Sequence, residues 1–144
     1  MTELSIRLAA ETDAAELARL NGLFNGATLT PAEQAEHLRA AARTERALLA
    51  WVDGRAVGFT CLRFARLITT ALPYAEVTEL FVEEAFRRRG IARALLTEAE
   101  TLARALGAPG VILFTGLKNA SAQAFYRAVG YHDYAITMRK VFGE

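Results

Sequence analysis

"FRRRGIARALL", residues Phe86–Leu96, sets three consecutive arginines against a glycine and then opens a leucine-rich helical repeat. A helix N-terminus already carries partial positive charge and unpaired N–H groups. Gathering Arg87, Arg88, Arg89 and Arg93 there is unfavourable for stability alone, so an anion is expected at that end. Gly90, which has no Cβ, permits a tight turn and close backbone approach. Successive N–H groups from about Arg88 to Arg93 then point at phosphate oxygens. The strand "EVTELFV" (Glu76–Val82) runs directly into this turn, giving the order strand, glycine turn, helix. The turn has neither the Gly-Lys-Ser/Thr of a Walker loop nor the G-x-G-x-x-G of a dinucleotide fold.

Downstream, Ile91, Leu95, Leu96, Ala99, Leu102, Ala103 and Leu106 fall at helical spacing and predict an amphipathic helix closed by Gly107 and Pro109. "GVILFTG" reads as a short, fully apolar strand. "NASAQAFYRAVGY" reads as a helix with Asn119 as N-cap and Gly130 as its terminating residue. Two extended pieces, "YHDY" and "AITMRKVF", follow. Upstream, "ALLAWV" and "AVGFTCLRF" flank "DGR", whose Asp53-Gly54 pair signals a hairpin. "TPAEQAEHLRAAAR" opens a helix with Thr30 as N-cap, Pro31 at N1 and Glu33 at N3, a capping box. "TDAAELARLNGLF" is another helix, capped by Thr12 or Asp13, with Leu17, Leu20 and Phe24 at helical spacing. "LSIRL" alternates as a strand. The order β-α-α-β-β-β-α-β-α-β-β predicts a mixed α+β fold. Its sheet has six to seven strands, mostly antiparallel and parallel where helices connect them, flanked by about four helices.

With 144 residues, 53% hydrophobic content and no repeat or linker, the chain is expected to form a single domain over residues 1–144. A net charge of +1 gives no global field toward nucleic acid or a membrane surface, and neither is an expected partner. No stretch approaches the ~20 apolar residues that span a bilayer. "MTELSIRLAAETD" has no signal-peptide pattern. The lone Cys61 excludes an internal disulfide and points to a reducing cytoplasm. It reads as a small core residue, and Trp51 as core or cleft lining. His37 and His132 stand apart without ligand partners, so no metal is expected.

On these residues the chain resembles the GCN5-related N-acetyltransferase (GNAT) superfamily, whose members move acetyl groups from acetyl-coenzyme A to amines. Arg87-x-x-Gly90-x-Ala92 is similar to the family's pyrophosphate loop, and "ELFV" (Glu79–Val82) to the strand before it. Asn119-x-x-Ala122-x-x-Phe125-Tyr126, with Gly130-Tyr131 after it, resembles a later family segment, and "IRLAAETDAAELARL" the usual opening strand and helix. The resemblance implies a sheet splayed between "ELFV" and "VILFT" to admit acetyl-CoA. Main-chain groups of Leu80, Phe81 and Val82 would meet pantetheine, and Arg87, Arg88, Arg89, Gly90, Ile91, Ala92 and Arg93 would hold the pyrophosphate. Asn119 and Phe125 would lie near the pantetheine arm, and Tyr126 would protonate the departing thiolate. The implied activity is acetyl transfer from acetyl-CoA to a primary amine of a small molecule or protein by direct attack on the thioester. A non-catalytic acyl-CoA-binding module, or an enzyme using another acyl-CoA donor, stands as the alternative.

For the general base, Glu79 and Glu76 both lie on the strand entering the site. Strand alternation puts them on opposite faces unless a bulge intervenes. Glu79 is favoured because it shares a face with Phe81 rather than with the helix-packing Leu80 and Val82; a water chain is the other reading. Read alone, Asn119 is an adequate N-cap, Tyr126 a half-buried helix residue and Arg88 a solvated surface cation. The acceptor is expected to enter near "NGLFNGATLT" and "ARLITTALPYAEV". Leu67, Ile68, Leu72 and Tyr74 would line an apolar pocket, pack as a loop, or form a homodimer contact. No carboxylate cluster that would select a polyamine is visible.

Overall fold

The computed structural model describes residues 3–143. Its elements in chain order are β1 (Leu4–Leu8), α1 (Ala14–Asn25), α2 (Pro31–Ala41), β2 (Glu45–Val52), β3 (Arg55–Ala65), β4 (Tyr74–Val82), α3 (Ile91–Ala105), β5 (Ile112–Leu113) and α4 (Ala120–Ala128). Single 3-10 turns at Glu11–Asp13 and Glu84–Phe86 precede α1 and the arginine stretch. Residues up to Leu113 form one compact unit and those from Phe114 a second.

The five strands of the first unit lie in the order β1-β2-β3-β4-β5. All neighbours are antiparallel except β4 and β5, which pair in parallel across α3. The β2–β3 hairpin closes on Asp53 (φ 51°) and Gly54 (φ 76°), the double left-handed geometry of a type I′ turn. The Thr30 capping box forms as expected: Thr30 Oγ1 accepts from the Glu33 amide, and Glu33 Oε1 from the Thr30 amide. Asp13 behaves differently. Its carboxylate turns back to accept from the Ala10 amide and Arg7, and makes no forward cap on α1.

α3 buries Ile91, Leu95, Leu96, Ala99 and Ala103 on one side of the sheet. Each fully buried leucine contributes about 1.5–3 kcal/mol. On the other side Leu17 and Leu20 of α1 meet Leu49, Ala56 and Phe59, with Trp51, Cys61 and Phe81 packed against that cluster. Cys61 is thus a half-buried core thiol, as read from the sequence. Between the layers, Gly58 is fixed by close approach: a Cβ there would meet the Phe81 carbonyl oxygen at 2.7 Å and Leu95 Cδ1 at 3.3 Å. Gly58→Ala is therefore expected to destabilise the protein by about 1–3 kcal/mol. A thermal melt should show a Tm several degrees lower; an unchanged Tm would mean that β3 and β4 part freely.

The expected six to seven strands are corrected to five among the described residues. "GVILFTG" contributes only Ile112 and Leu113, while "YHDY" and "AITMRKVF" form no strand. Alternation marks which side chains a strand would bury, but a strand exists only where a neighbour accepts its ladder. Tyr134, Ile136 and Met138 keep the period-two pattern and are all exposed.

Candidate active site

β4 ends at Val82, and Glu83 is tied down at once by backbone and side chain. Its amide donates to the Val57 carbonyl at 2.8 Å. Its buried carboxylate receives Arg19 from α1 and Arg55 from β3. The chain then makes the Glu84–Phe86 turn and enters the arginine stretch with Arg88 at φ 64° and Gly90 at φ 79°. A non-glycine residue in the left-handed region is uncommon and strained. Arg88 and Gly90 thus place two left-handed residues just ahead of α3, the backbone conformation from which anion-binding turns are built. The first turn of α3 has no acidic residue, and apart from Gly90 and its chain neighbours nothing lies within 4 Å of where a Gly90 Cβ would stand.

The arginines divide their work. Arg87 Nε donates to the Val82 carbonyl at 2.9 Å, and its guanidinium stands 5.8 Å from the Phe81 ring. Arg89 stands 5.1 Å from the Phe86 ring. Arg88 and Arg93 are exposed, whereas the Ile91 side chain is core and offers the loop only its backbone. One lone pair of the Val82 carbonyl is thus taken by Arg87.

β3 and β4 pair Cys61 with Glu79 and Leu62 with Val77, which leaves Thr78 as an extra residue on β4. This bulge settles the question of faces. Opposed residues point to the same side of a sheet. Glu79 opposite Cys61, Phe81 opposite Phe59 and Glu76 opposite Arg63 therefore share the α1 side. Leu80 and Val82 take the other side, where Val82 and Leu95 both approach Gly58. Thr60 stabilises the irregularity, its buried hydroxyl donating to the Glu79 carbonyl at 2.7 Å. Pairing of β4 with β5 is confined to Glu76–Ile112 and Val77–Leu113, although β4 runs on to Val82.

Burial is the main influence on Glu79 and lifts its carboxyl above the ordinary carboxylate range; Asn25 opposes the shift and Glu45 adds to it. Burial also pushes the Cys61 thiol up to about 12, aided by Glu45 and Glu79. Glu76 is held by the Tyr74 hydroxyl, which donates at 2.8 Å. Burial first, and this bond second, push Tyr74 up to about 12. Leu67, Ile68 and Leu72 are exposed, so they form neither a packed loop nor a closed pocket.

In the second unit, Asn119 caps α4 by accepting from the Ala122 amide at 3.0 Å. The end of α4 is a Schellman motif. The Tyr131 amide bonds to the Tyr126 carbonyl at 2.9 Å and the Gly130 amide to the Arg127 carbonyl at 3.2 Å, with Gly130 at φ 101°. The apolar contact that accompanies this motif is Tyr126 against Tyr131, ring centroids 5.9 Å apart. The Phe125 ring centroid stands 5.3 Å from that of Tyr126. Spacing between Tyr126 and Gly130-Tyr131 thus has a local physical reason. Burial raises the Tyr126 hydroxyl above its ordinary value.

Sequence reasoning missed Asn25, the Thr78 bulge and the Arg19–Glu83–Arg55 anchor. Each depends on strand register or on a partner far away in sequence. Only the paired asparagines of "NGLFNG" hinted at the first.

The sequence pattern of the Acetyltransferase (GNAT) family matches residues 14–131. An uncharacterized N-acetyltransferase of Methanocaldococcus jannaschii is 34% identical over 85 residues, covering 57% of this chain and 37% of that protein. An IAA acetyltransferase of Azospirillum brasilense is 39% identical over 88 residues, covering 61% of this chain and 55% of that one. The matched stretch thus spans about half of those relatives or less. Among solved structures, the aminoglycoside N-acetyltransferase AAC(6')-Iy in complex with CoA shares the fold, with a TM-score of 0.81 at 20% identity over 97% of this chain and 96% of that one. A family pattern that takes in α1, the glycine turn and α4 together decides the matter: this chain belongs to the GNAT acetyltransferase family.

Proposed function

We propose that the chain transfers an acetyl group from acetyl-CoA to a primary amine of a small molecule or protein, acting as one N-acetyltransferase domain. The observation that carries this reading is the left-handed pair Arg88 and Gly90 at the start of α3, whose turn leaves open space at Gly90 that suits a pyrophosphate. The short β4–β5 pairing supports a splay in which main-chain groups of Leu80, Phe81 and Val82 meet the pantetheine arm. Asn119 and Phe125 are assigned to the same arm, and no step needs a metal. The amine nitrogen attacks the thioester carbonyl carbon, a C–N bond forms and the C–S bond breaks. The amine's surplus proton passes to Glu79, and Tyr126 Oη gives its proton to the leaving thiolate. Both groups re-equilibrate with solvent. The single cysteine fits a reducing compartment such as the cytoplasm.

A panel of amines, peptides included, assayed for released CoA thiol tests this reading. Turnover with at least one amine is the expected result. Acetyl-CoA binding without turnover across the panel would instead favour a binding module, and faster turnover with another acyl-CoA would change the donor. On any substrate found, Glu79→Gln should lower kcat/KM by roughly 10²-fold, the low end for a positioned base because water can share the task. A base works deprotonated, so the rate should rise with pH through the raised Glu79 value. That acidic limb should vanish in Glu79→Gln. A limb that persists there would pass the role to Glu76, to the amine itself or to water.

A further inference from the structure

We propose that Asn25, the last residue of α1, is a positioning residue that orients the Glu79 carboxylate, braced from behind by Asn21 and Gln34. The inference rests on the reading of Glu79 as proton acceptor. Asn25 Nδ2 donates to Glu79 Oε2 at 3.5 Å and to Asn21 Oδ1 at 2.8 Å. Asn21 Nδ2 in turn donates to Gln34 Oε1 at 3.3 Å. Gln34 lies on α2 and is only 7% exposed, although glutamine is rarely buried. Side-chain amides from two helices therefore form one line that ends on the carboxylate. Gly26, at φ 67°, stops α1 immediately after Asn25 and sends its amide to the Gly22 carbonyl, which fixes where that side chain starts. Phe24 beside it stacks on Phe81 at 5.1 Å, so this helix end is also docked on β4.

The line has a chemical consequence. An N–H donor stabilises the charged carboxylate, so Asn25 opposes the upward push of burial on Glu79. The other groups facing Glu79 from the packed elements are Cys61 and Arg63 on β3, Glu45 on β2 and Glu76 on its own strand. Among them Glu45 works in the same direction as burial. Loss of the Asn25 amide should leave a carboxylate that ionises at higher pH and swings more freely.

Two measurements test this in the full chain. First, the Glu79 side-chain carboxyl is titrated by carbon-detected NMR in the parent and in Asn25→Ala, with Glu79→Gln used to assign the signal. An upward shift in Asn25→Ala is expected, whatever part Glu79 plays in catalysis. An unmoved titration overturns the proposal. Second, kcat/KM is followed against pH on an amine substrate. In Asn25→Ala the acidic limb should move up and kcat/KM below it should fall roughly tenfold, the lower end for a hydrogen bond to a charged group. The KM for acetyl-CoA should stay within about twofold, and Asn25→Gln should restore part of the loss. A uniform fall at every pH, with no movement of the limb, would also overturn the proposal by reducing Asn25 to a helix-end packing residue. If the NMR shift is present while Glu79→Gln keeps parental activity, the positioning stands and the base assignment falls.

Discussion

Replacing Tyr126 by Phe is expected to lower kcat by roughly 10²–10⁴-fold while leaving acetyl-CoA affinity nearly unchanged. The substitution removes one hydroxyl and keeps the ring that contacts Phe125 and Tyr131. The Schellman hydrogen bonds that end α4 use the Tyr126 carbonyl, which the variant retains. A large rate effect would therefore report lost proton donation rather than lost structure. The pH dependence sharpens the test. A general acid works in its protonated form, so the rate should fall as pH rises through the Tyr126 value. Burial raises that value above the ordinary tyrosine pKa of about 10, so the hydroxyl is fully protonated near neutrality and the alkaline limb lies high. In Tyr126→Phe that limb should disappear. Parental turnover by the variant, with chemistry shown to be rate-limiting, would make Tyr126 structural and leave water to protonate the thiolate.

Gly90→Val is expected to weaken acetyl-CoA binding by roughly a hundredfold or more, equivalent to losing two hydrogen bonds to a charged group. Two effects act together. Gly90 sits at φ 79°, where a β-branched residue is strongly disfavoured, so the turn must move or carry strain. The new methyl groups would also occupy the open space assigned to phosphate. Gly90→Asn separates them, because asparagine tolerates the left-handed region yet still places atoms in that space. Calorimetry should find weak binding in both variants, with a lower Tm only for valine. Parental affinity in folded Gly90→Val would remove the pyrophosphate assignment.

What could be read from the sequence was what short-range chemistry decides. Thr30, Pro31 and Glu33 specify a helix start within one turn, Asp53-Gly54 specifies a hairpin, and the α3 periodicity specifies which residues it buries. The glycine turn was legible for the same reason. Strand count was not, since Tyr134, Ile136 and Met138 alternate correctly without a ladder. The face of Glu79 was deduced correctly, but that of Glu76 depended on a bulge with no sequence signature. Asn25 became visible only once the end of α1 was placed over β4.

The residue at 78 controls the parity of a strand. Counting by twos from Phe81 reaches Glu79 and then, were β4 regular through Thr78, Val77 and Ala75; with Thr78 bulged out of the pairing, the count continues through Glu76 and Tyr74. Were Thr78 drawn into regular pairing instead of bulging out of it, the N-terminal half of β4 would be re-phased relative to its C-terminal half. Glu76 and Tyr74 would turn toward α3, while Val77 and Ala75 would turn toward α1. A strand that must bury apolar groups under one helix and gather polar ones beneath another can thus meet both demands through a change of phase, with no change in composition.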